Sequence, residues 1–355
     1  MAKQPDSEPI FKLNPVWDNN ENTVWLASTI TLKRNIEKFK FPTKLETDRQ
    51  KQIISLISKH LLANEQLSKP KVFLSSEISP LQKEFLMEHF LIQSLHQAHS
   101  GEAFLVDHSG LFLTTLNIKD HIQFQITDCK GELEESWNRL VAIETALGKQ
   151  VSYAFSPKYG YLTSDFNQCG TALIATVLLH LPSLVHSETI DNILEKLTDD
   201  HLIISGIQGN PTEIIGDVLV VQNNYTLGVT EENILSSLRT FATKIIVEEN
   251  SAKRKILQED NNEIKDKISR AFGILVHSYQ IEAVEALNAL SLLKLGIELN
   301  WVEGMTLRQA NSLFLNCRRA HLIKQTGEES SKPEELLHKR AEFIHKHLKN
   351  VHLTI

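Results

Sequence analysis

The chain has 355 residues, 41% hydrophobic and 23% charged, with a formal net charge of −7. That length suits two domains, or one large domain with an appendage, and that charge argues against nucleic acid or an anionic membrane as partner. No apolar run approaches the ~18 residues of a membrane span, and the polar start MAKQPDSEP lacks a signal peptide's apolar core, so a cytoplasmic protein is expected.

Residues 1–16 carry Pro and acidic residues without periodicity and read as a mobile lead-in; order is expected from Trp17. The β-branched run TVWLASTITL, residues 23–32, predicts a strand. Apolar spacing at Ile53, Ile54, Leu56 and Ile57 predicts a helix from Glu46 to His60. Further strands are expected at KVFLSS, AFLVDHS, LFLTTLN, IQFQITD, LIISGI and DVLVVQ. Short polar turns such as His108-Ser109-Gly110 favour antiparallel pairing over a βαβ series, and a helix is expected from Glu132 to about Leu147. The fold class is α+β. From Glu248 onward strand signals stop. The charged stretch EENSAKRKILQEDNNEIKDKI, an apolar stripe from Ile281 to Leu293, RQANSLFLNCRRAHLIK and PEELLHKRAEFIHKHL each predict one helix, with the polar loop TGEESSKP before the last. These place a first domain at 17–252 and a helical domain at 253–355. Cys129, Cys169 and Cys317 are widely separated and odd in number, which predicts reduced, buried thiols and no metal site.

Several segments resemble the guanidino (phosphagen) kinase family, and within it the bacterial protein-arginine kinases. They are LASTITLKRN with the following FKFP, NIKDHIQFQ, GYLTSDFNQCGTALIATVLLHLPSL, SGIQGNPTEIIGDVLVVQNNYTLG and LKLGIEL. The resemblance runs in order from Trp17 to Leu348. It implies a small helical lobe at about 43–70, a large antiparallel sheet flanked by helices, and the helical domain peculiar to the protein-arginine kinases.

The resemblance also implies which positions should carry chemistry. Phosphoryl transfer from ATP to a guanidinium needs cations around the phosphates, and the family supplies five arginines. Those positions here are Thr29, Thr31, Gln123, Ile174 and Ser205, all neutral. The two carboxylates and the cysteine that hold the guanidinium in the family fall at Lys119, Asn210 and Asp165. Lys119 and Asp165 are expected to form an ion pair in the vacated pocket. His89 and His180 match nucleotide contacts of the family, or are packing histidines. Lys33 shares a strand face with Thr29 and Thr31 and is the one residue able to replace part of the clamp. The counterpart of the family's phosphoarginine-sensing element is Leu336 to Ala341, with Lys339 and Arg340 expected on a solvated face. These losses predict a catalytically inactive pseudoenzyme with weak or absent ATP binding. It would act as adaptor for a Clp-type AAA+ unfoldase beside a zinc-finger activator protein of the McsA type, with self-association into a homodimer left open. The alternatives are residual phosphotransfer to arginine, or a scaffold unrelated to proteolysis.

Overall fold

A computed structural model describes residues 9–92, 101–197, 199–210, 213–327 and 333–355 of the protein. In chain order the elements are β1 (Trp25–Arg34), α1 (Thr47–Leu62), β2 (Lys71–Leu74), α2 (Pro80–Phe90), β3 (Ala103–Val106), β4 (Phe112–Leu116), β5 (Ile122–Asp128) and α3 (Leu133–Gly148). A small hairpin, β6 (Phe155–Ser156) and β7 (Gly160–Tyr161), precedes β8 (Leu173–His180), α4 (Pro182–His186), α5 (Ile190–Leu197), β9 (Leu202–Gly206) and β10 (Val218–Asn223). The helical region comprises α6 (Glu231–Gln258), α7 (Asn262–His277), α8 (Ala283–Glu298), β11 (Val302–Glu303), α9 (Leu307–Asn316), α10 (Arg319–Thr326), α11 (Pro333–Leu348) and β12 (His352–Leu353).

Eight strands form one antiparallel sheet in the order β2-β3-β4-β5-β1-β8-β10-β9. The α+β class and the antiparallel pairing are as expected. The central strand β8 is not among the strands read from the sequence, because LIATVLLH is mostly apolar and shows no polar–apolar alternation.

Period-2 alternation gives the sheet two different faces. Ile30, Leu32, Ile122, Phe124, Leu173, Ala175, Val177, Leu219 and Val221 point toward a layer made by α1, α3 and α6, and form the main core with Ile53, Ile57, Leu140, Ile143, Leu238 and Ile245. Each Val, Leu, Ile or Phe side chain taken fully out of water here stabilises the fold by ~1.5–3 kcal/mol before entropy is counted. The opposite face is covered at one end by the helical region: Ala27, Leu178, Val218 and Val220 share a core with Leu287, Leu290, Leu293 and Phe314.

One expectation about organisation changes. Residues 1–8 of the lead-in lie outside the described residues, but the rest is anchored: Ile10 and Leu13 are buried in one cluster with Phe85 and Phe90. The polar loop at 326–333 lies outside the described residues at 328–332. Residues 252 and 253 lie inside the helix α6, and the helical region shares a core with one end of the sheet.

That shared core contains a buried lysine. Lys294 on α8 is only 2% exposed, and its Nζ donates to the Thr23 carbonyl at 2.9 Å. Burial pulls its ammonium down to about 7, with Glu298 acting in the opposite direction. The folded-state pKa lies below the unfolded one, so above pH 7 the unfolded chain holds the extra proton and stability rises with pH, by at most ~1.4 kcal/mol per unit. Between pH 7 and 8.5 the melting midpoint of the wild type should gain on that of Lys294→Met; parallel curves would mean that Lys294 does not titrate there.

Candidate active site

On the sheet face turned away from α1, α3 and α6, β1 presents Thr29, Thr31 and Lys33, β5 presents Gln123 and Gln125, β8 presents Ile174 and Thr176, and β10 presents Gln222. The register sets them in rows: Lys33 opposite Gln123, Thr31 between Gln125 and Ile174, and Thr29 opposite Thr176, which in turn faces Gln222. With Leu91, Ile92, Gln168 and Arg318 they line a cavity of about 280 Å³. Four of the five expected clamp positions therefore meet in one pocket. The fifth, Ser205, is paired with Val220 on the same face but does not line the cavity.

Lys33 enters the pocket as expected from its spacing. It is half-buried and donates to Gln168 Oε1. Burial lowers the pKa of its ammonium, an effect that Asp120 and Asp165 oppose and Lys119 reinforces. Gln168 sits on a short helical turn, Phe166–Gln168, whose start is capped by Asp165 accepting from the Asn167 amide at 3.1 Å. The loop then returns through Gly170, at φ +106°, where a Cβ would lie 2.1 Å from the Thr226 carbonyl oxygen; glycine alone fits there.

The three positions expected to handle the guanidinium, Lys119, Asp165 and Asn210, do not line the cavity. Lys119 and Asp165 are exposed, and no ion pair between them is found among the described residues, which corrects that expectation. Asp165 is occupied as a helix cap, while the Lys119 carbonyl accepts from Ser164 Oγ at 2.5 Å. Asn210 is exposed; its carbonyl accepts from the Gly206 amide at 2.8 Å.

The matched Asp120-His121 pair is a scaffold knot beside the pocket. Asp120 Oδ1 accepts from Asn35 Nδ2 at 2.7 Å and from the Ser164 amide at 2.6 Å. His121 Nδ1 accepts from the Ile36 amide at 3.0 Å, and its Nε2 meets the Lys40 carbonyl at 2.9 Å. One dipeptide thus ties the end of β1, the β4–β5 turn and the Ser164 loop together. Arg34 points to the other face, where it pairs with Glu144 at 2.6 Å and lies 3.4 Å from the centre of the Tyr161 ring.

Neither histidine candidate lines the cavity. His89 is fully enclosed, with Nε2 2.9 Å from the Gly110 carbonyl and its ring stacked on Phe85; burial lowers its pKa to about 3. His180 is buried beside Ser291 Oγ at 2.7 Å, which also bonds to Asp217, and burial holds its pKa well below the ordinary value. Arg340 corrects another expectation: it is buried, not solvated, with Nε donating to the Cys317 carbonyl and an Nη to the Ile281 carbonyl, both at 2.9 Å. All three cysteines are buried and free, and burial pushes the Cys317 thiol up to about 12. Among the described residues no cluster of His, Cys, Asp or Glu could hold a metal ion, and no helix is long and apolar enough to cross a membrane.

Sequence reasoning missed Arg318. The stretch RQANSLFLNCRRAHLIK reads as one helix, but it breaks at Cys317-Arg318 into α9 and α10. The cause is Glu88 of α2. Its carboxylate accepts from the Ala320 amide at 3.1 Å, from the His321 amide at 3.0 Å and from His321 Nδ1 at 2.7 Å, so it starts a new helix in trans. Burial alone would raise the Glu88 pKa, but the His321 hydrogen bond, the Arg318 charge and the backbone donor outweigh it and the net shift is downward. Arg318 is left extended at the head of α10, in the wall of the pocket.

An eight-stranded antiparallel sheet flanked by helices, with a C-terminal helical region, is the guanidino-kinase type of fold. The solved structures agree on the fold: lombricine kinase matches with a TM-score of 0.57 at 21% identity, covering 69% of this chain and 71% of that one. The duplicated taurocyamine kinase from Schistosoma mansoni with bound transition-state analogue components matches with a TM-score of 0.56 at 23% identity, covering 64% of this chain and 33% of that one. Residues 50–252 match the C-terminal catalytic domain of the ATP:guanido phosphotransferases, and residues 261–354 match the C-terminal domain of the protein-arginine kinase McsB. A protein-arginine kinase from Chlamydia pneumoniae is 35% identical over 328 residues, 91% of each chain. Those of Halothermothrix orenii and Bacillus cereus are each 32% identical, covering 91% and 94% of this chain and 93% and 94% of theirs. The chain belongs to the ATP:guanido phosphotransferase family, in its protein-arginine kinase branch.

These relatives correct the expectation that the chain is not an enzyme: they are named as kinases, and the likeness spans both parts of the chain. Every clamp position is neutral, which is what the expectation rested on. A cation nonetheless reaches the pocket from the helical region, Arg318.

Proposed function

We propose that the chain is an ATP:guanidino phosphotransferase acting on arginine side chains of proteins, with low affinity for free nucleotide. The supporting observation is the presence of Lys33 in one cavity with Thr29, Thr31 and Gln123. A partly desolvated ammonium is a stronger electrostatic partner for phosphoryl oxygens than one in water, and the neighbouring hydroxyls and amides supply neutral hydrogen bonds. A clamp of this kind neutralises less charge than five arginines. Since one catalytic arginine is worth roughly 10³–10⁵ in rate, turnover should be slow. Incubation with γ-labelled ATP and an arginine-rich protein should give label stable to base and labile to acid. No transfer above that of heat-denatured protein, over hours at millimolar ATP, would overturn the proposal.

The same reading extends to partners. A zinc-finger activator protein of the McsA type and a Clp-type AAA+ unfoldase are proposed to dock on this chain, favoured by retention of the branch's own C-terminal region, residues 261–354.

A further inference from the structure

The pocket is built from two parts of the chain that are distant in sequence. Its floor is the sheet, with Lys33 as the sheet's own cation, and Arg318 enters from the helical region. The position of Arg318 follows from three contacts. Glu88 holds the first amides of α10, as described above, which fixes the residue before the helix. One Nη of Arg318 donates to the Glu88 carbonyl at 3.3 Å, so the guanidinium is tied to the end of α2. The end of α2 is itself tied to the pocket, because Gln125 Nε2 donates to the Phe90 carbonyl at 2.7 Å, and Leu91 and Ile92 line the cavity. A guanidinium has five N–H donors in a planar fork, and among the described residues this one uses one of them, on the Glu88 carbonyl, which leaves donors for a ligand. The neighbouring Arg319 is outside the cavity lining and pairs with Glu84.

We propose that Arg318 is an anion-binding residue delivered to the phosphotransfer pocket by the helical region, where it holds a phosphoryl group of a polyphosphate ligand. Glu88 is then a positioning residue: it does not touch the ligand but sets where Arg318 stands. The inference rests on the phosphotransferase reading of the pocket for its biological meaning, but not for its test. It also gives the helical region a direct route to the chemistry, since any partner that shifts α10 on α2 moves a charge in the site.

The test uses the full chain, with inorganic tripolyphosphate as the probe and calorimetry at low ionic strength. Arg318→Gln keeps a donor for the Glu88 carbonyl and removes the charge. It should bind tripolyphosphate at least tenfold more weakly than the wild type with a similar melting midpoint. Arg319→Ala removes the same charge one residue away and should bind within twofold of the wild type. Arg318→Lys should fall between the wild type and Arg318→Gln. Wild-type affinity in Arg318→Gln, an equal loss in Arg319→Ala, or no binding by the wild type up to millimolar probe would each overturn the inference. Loss of tripolyphosphate binding in Arg318→Gln, with labelled transfer undetectable in every variant, would keep the anion subsite and remove the phosphotransferase reading.

Discussion

Glu88→Ala should be the most damaging single substitution near the site, with an expected loss of about 3–5 kcal/mol of unfolding free energy. The carboxylate sits in a buried seat and satisfies two backbone amides and a histidine nitrogen of α10. Removing it leaves those donors with no acceptor and no route to water, and an unsatisfied buried group costs the full desolvation penalty. The same substitution removes the negative charge facing the start of α10. Glu88→Gln retains one acceptor oxygen and should cost less. Urea denaturation followed by circular dichroism measures both. A Glu88→Ala midpoint close to wild type would show that α10 is held by apolar packing alone, through Ala320 and Ile323 against Phe85 and Leu86. The effect should reach the pocket as well, since Arg318 stands at the start of the helix that Glu88 anchors.

Lys33→Met is expected to lower phosphoryl transfer by roughly 10²–10³, the cost of deleting one charged donor aimed at a transition state. Stability should move the other way or not at all. Burial lowers the Lys33 ammonium pKa, so the charge is held in the fold at a cost, and a methionine of similar length removes that cost. A fall in transfer with an unchanged or higher melting midpoint separates a role in chemistry from a role in folding. Unchanged transfer would assign the phosphate contact elsewhere in the pocket, with Arg318 the remaining cation.

Much of the scaffold was legible in the sequence because it is written in local periodicity. The run WLASTITLKR alternates, so Thr29, Thr31 and Lys33 must share one face of β1 and Ile30 and Leu32 the other, whatever the neighbours are. Asp120, His121 and Gly170 lie in segments that match the family, and their roles here are structural: the first two tie loops together and Gly170 permits a close backbone approach. Their geometry explains why they match the family while nearby charged positions do not: a loop tied by Asp120 at 2.6–2.7 Å tolerates change at Lys119, which faces solvent.

What the sequence could not determine is which long-range partner completes a group. Asp165 and Lys119 looked like an ion pair by analogy, yet the local amide of Asn167 is the nearer partner for Asp165 and takes its carboxylate. Arg340 lies in a stretch of polar residues and looked solvated, but its guanidinium bridges carbonyls of Cys317 and Ile281 from two other segments. The helix break before α10 has no Pro, Gly or capping side chain of its own; the cap is Glu88, 232 residues earlier in the chain. Alternation, turns and apolar stripes depend on residues a few positions apart, so the sequence alone determined the faces of the alternating strands, such as β1, and the helical character of the C-terminal region. Tertiary structure decided the cation content of the pocket, because a helix terminus satisfied by a distant carboxylate leaves no local signal.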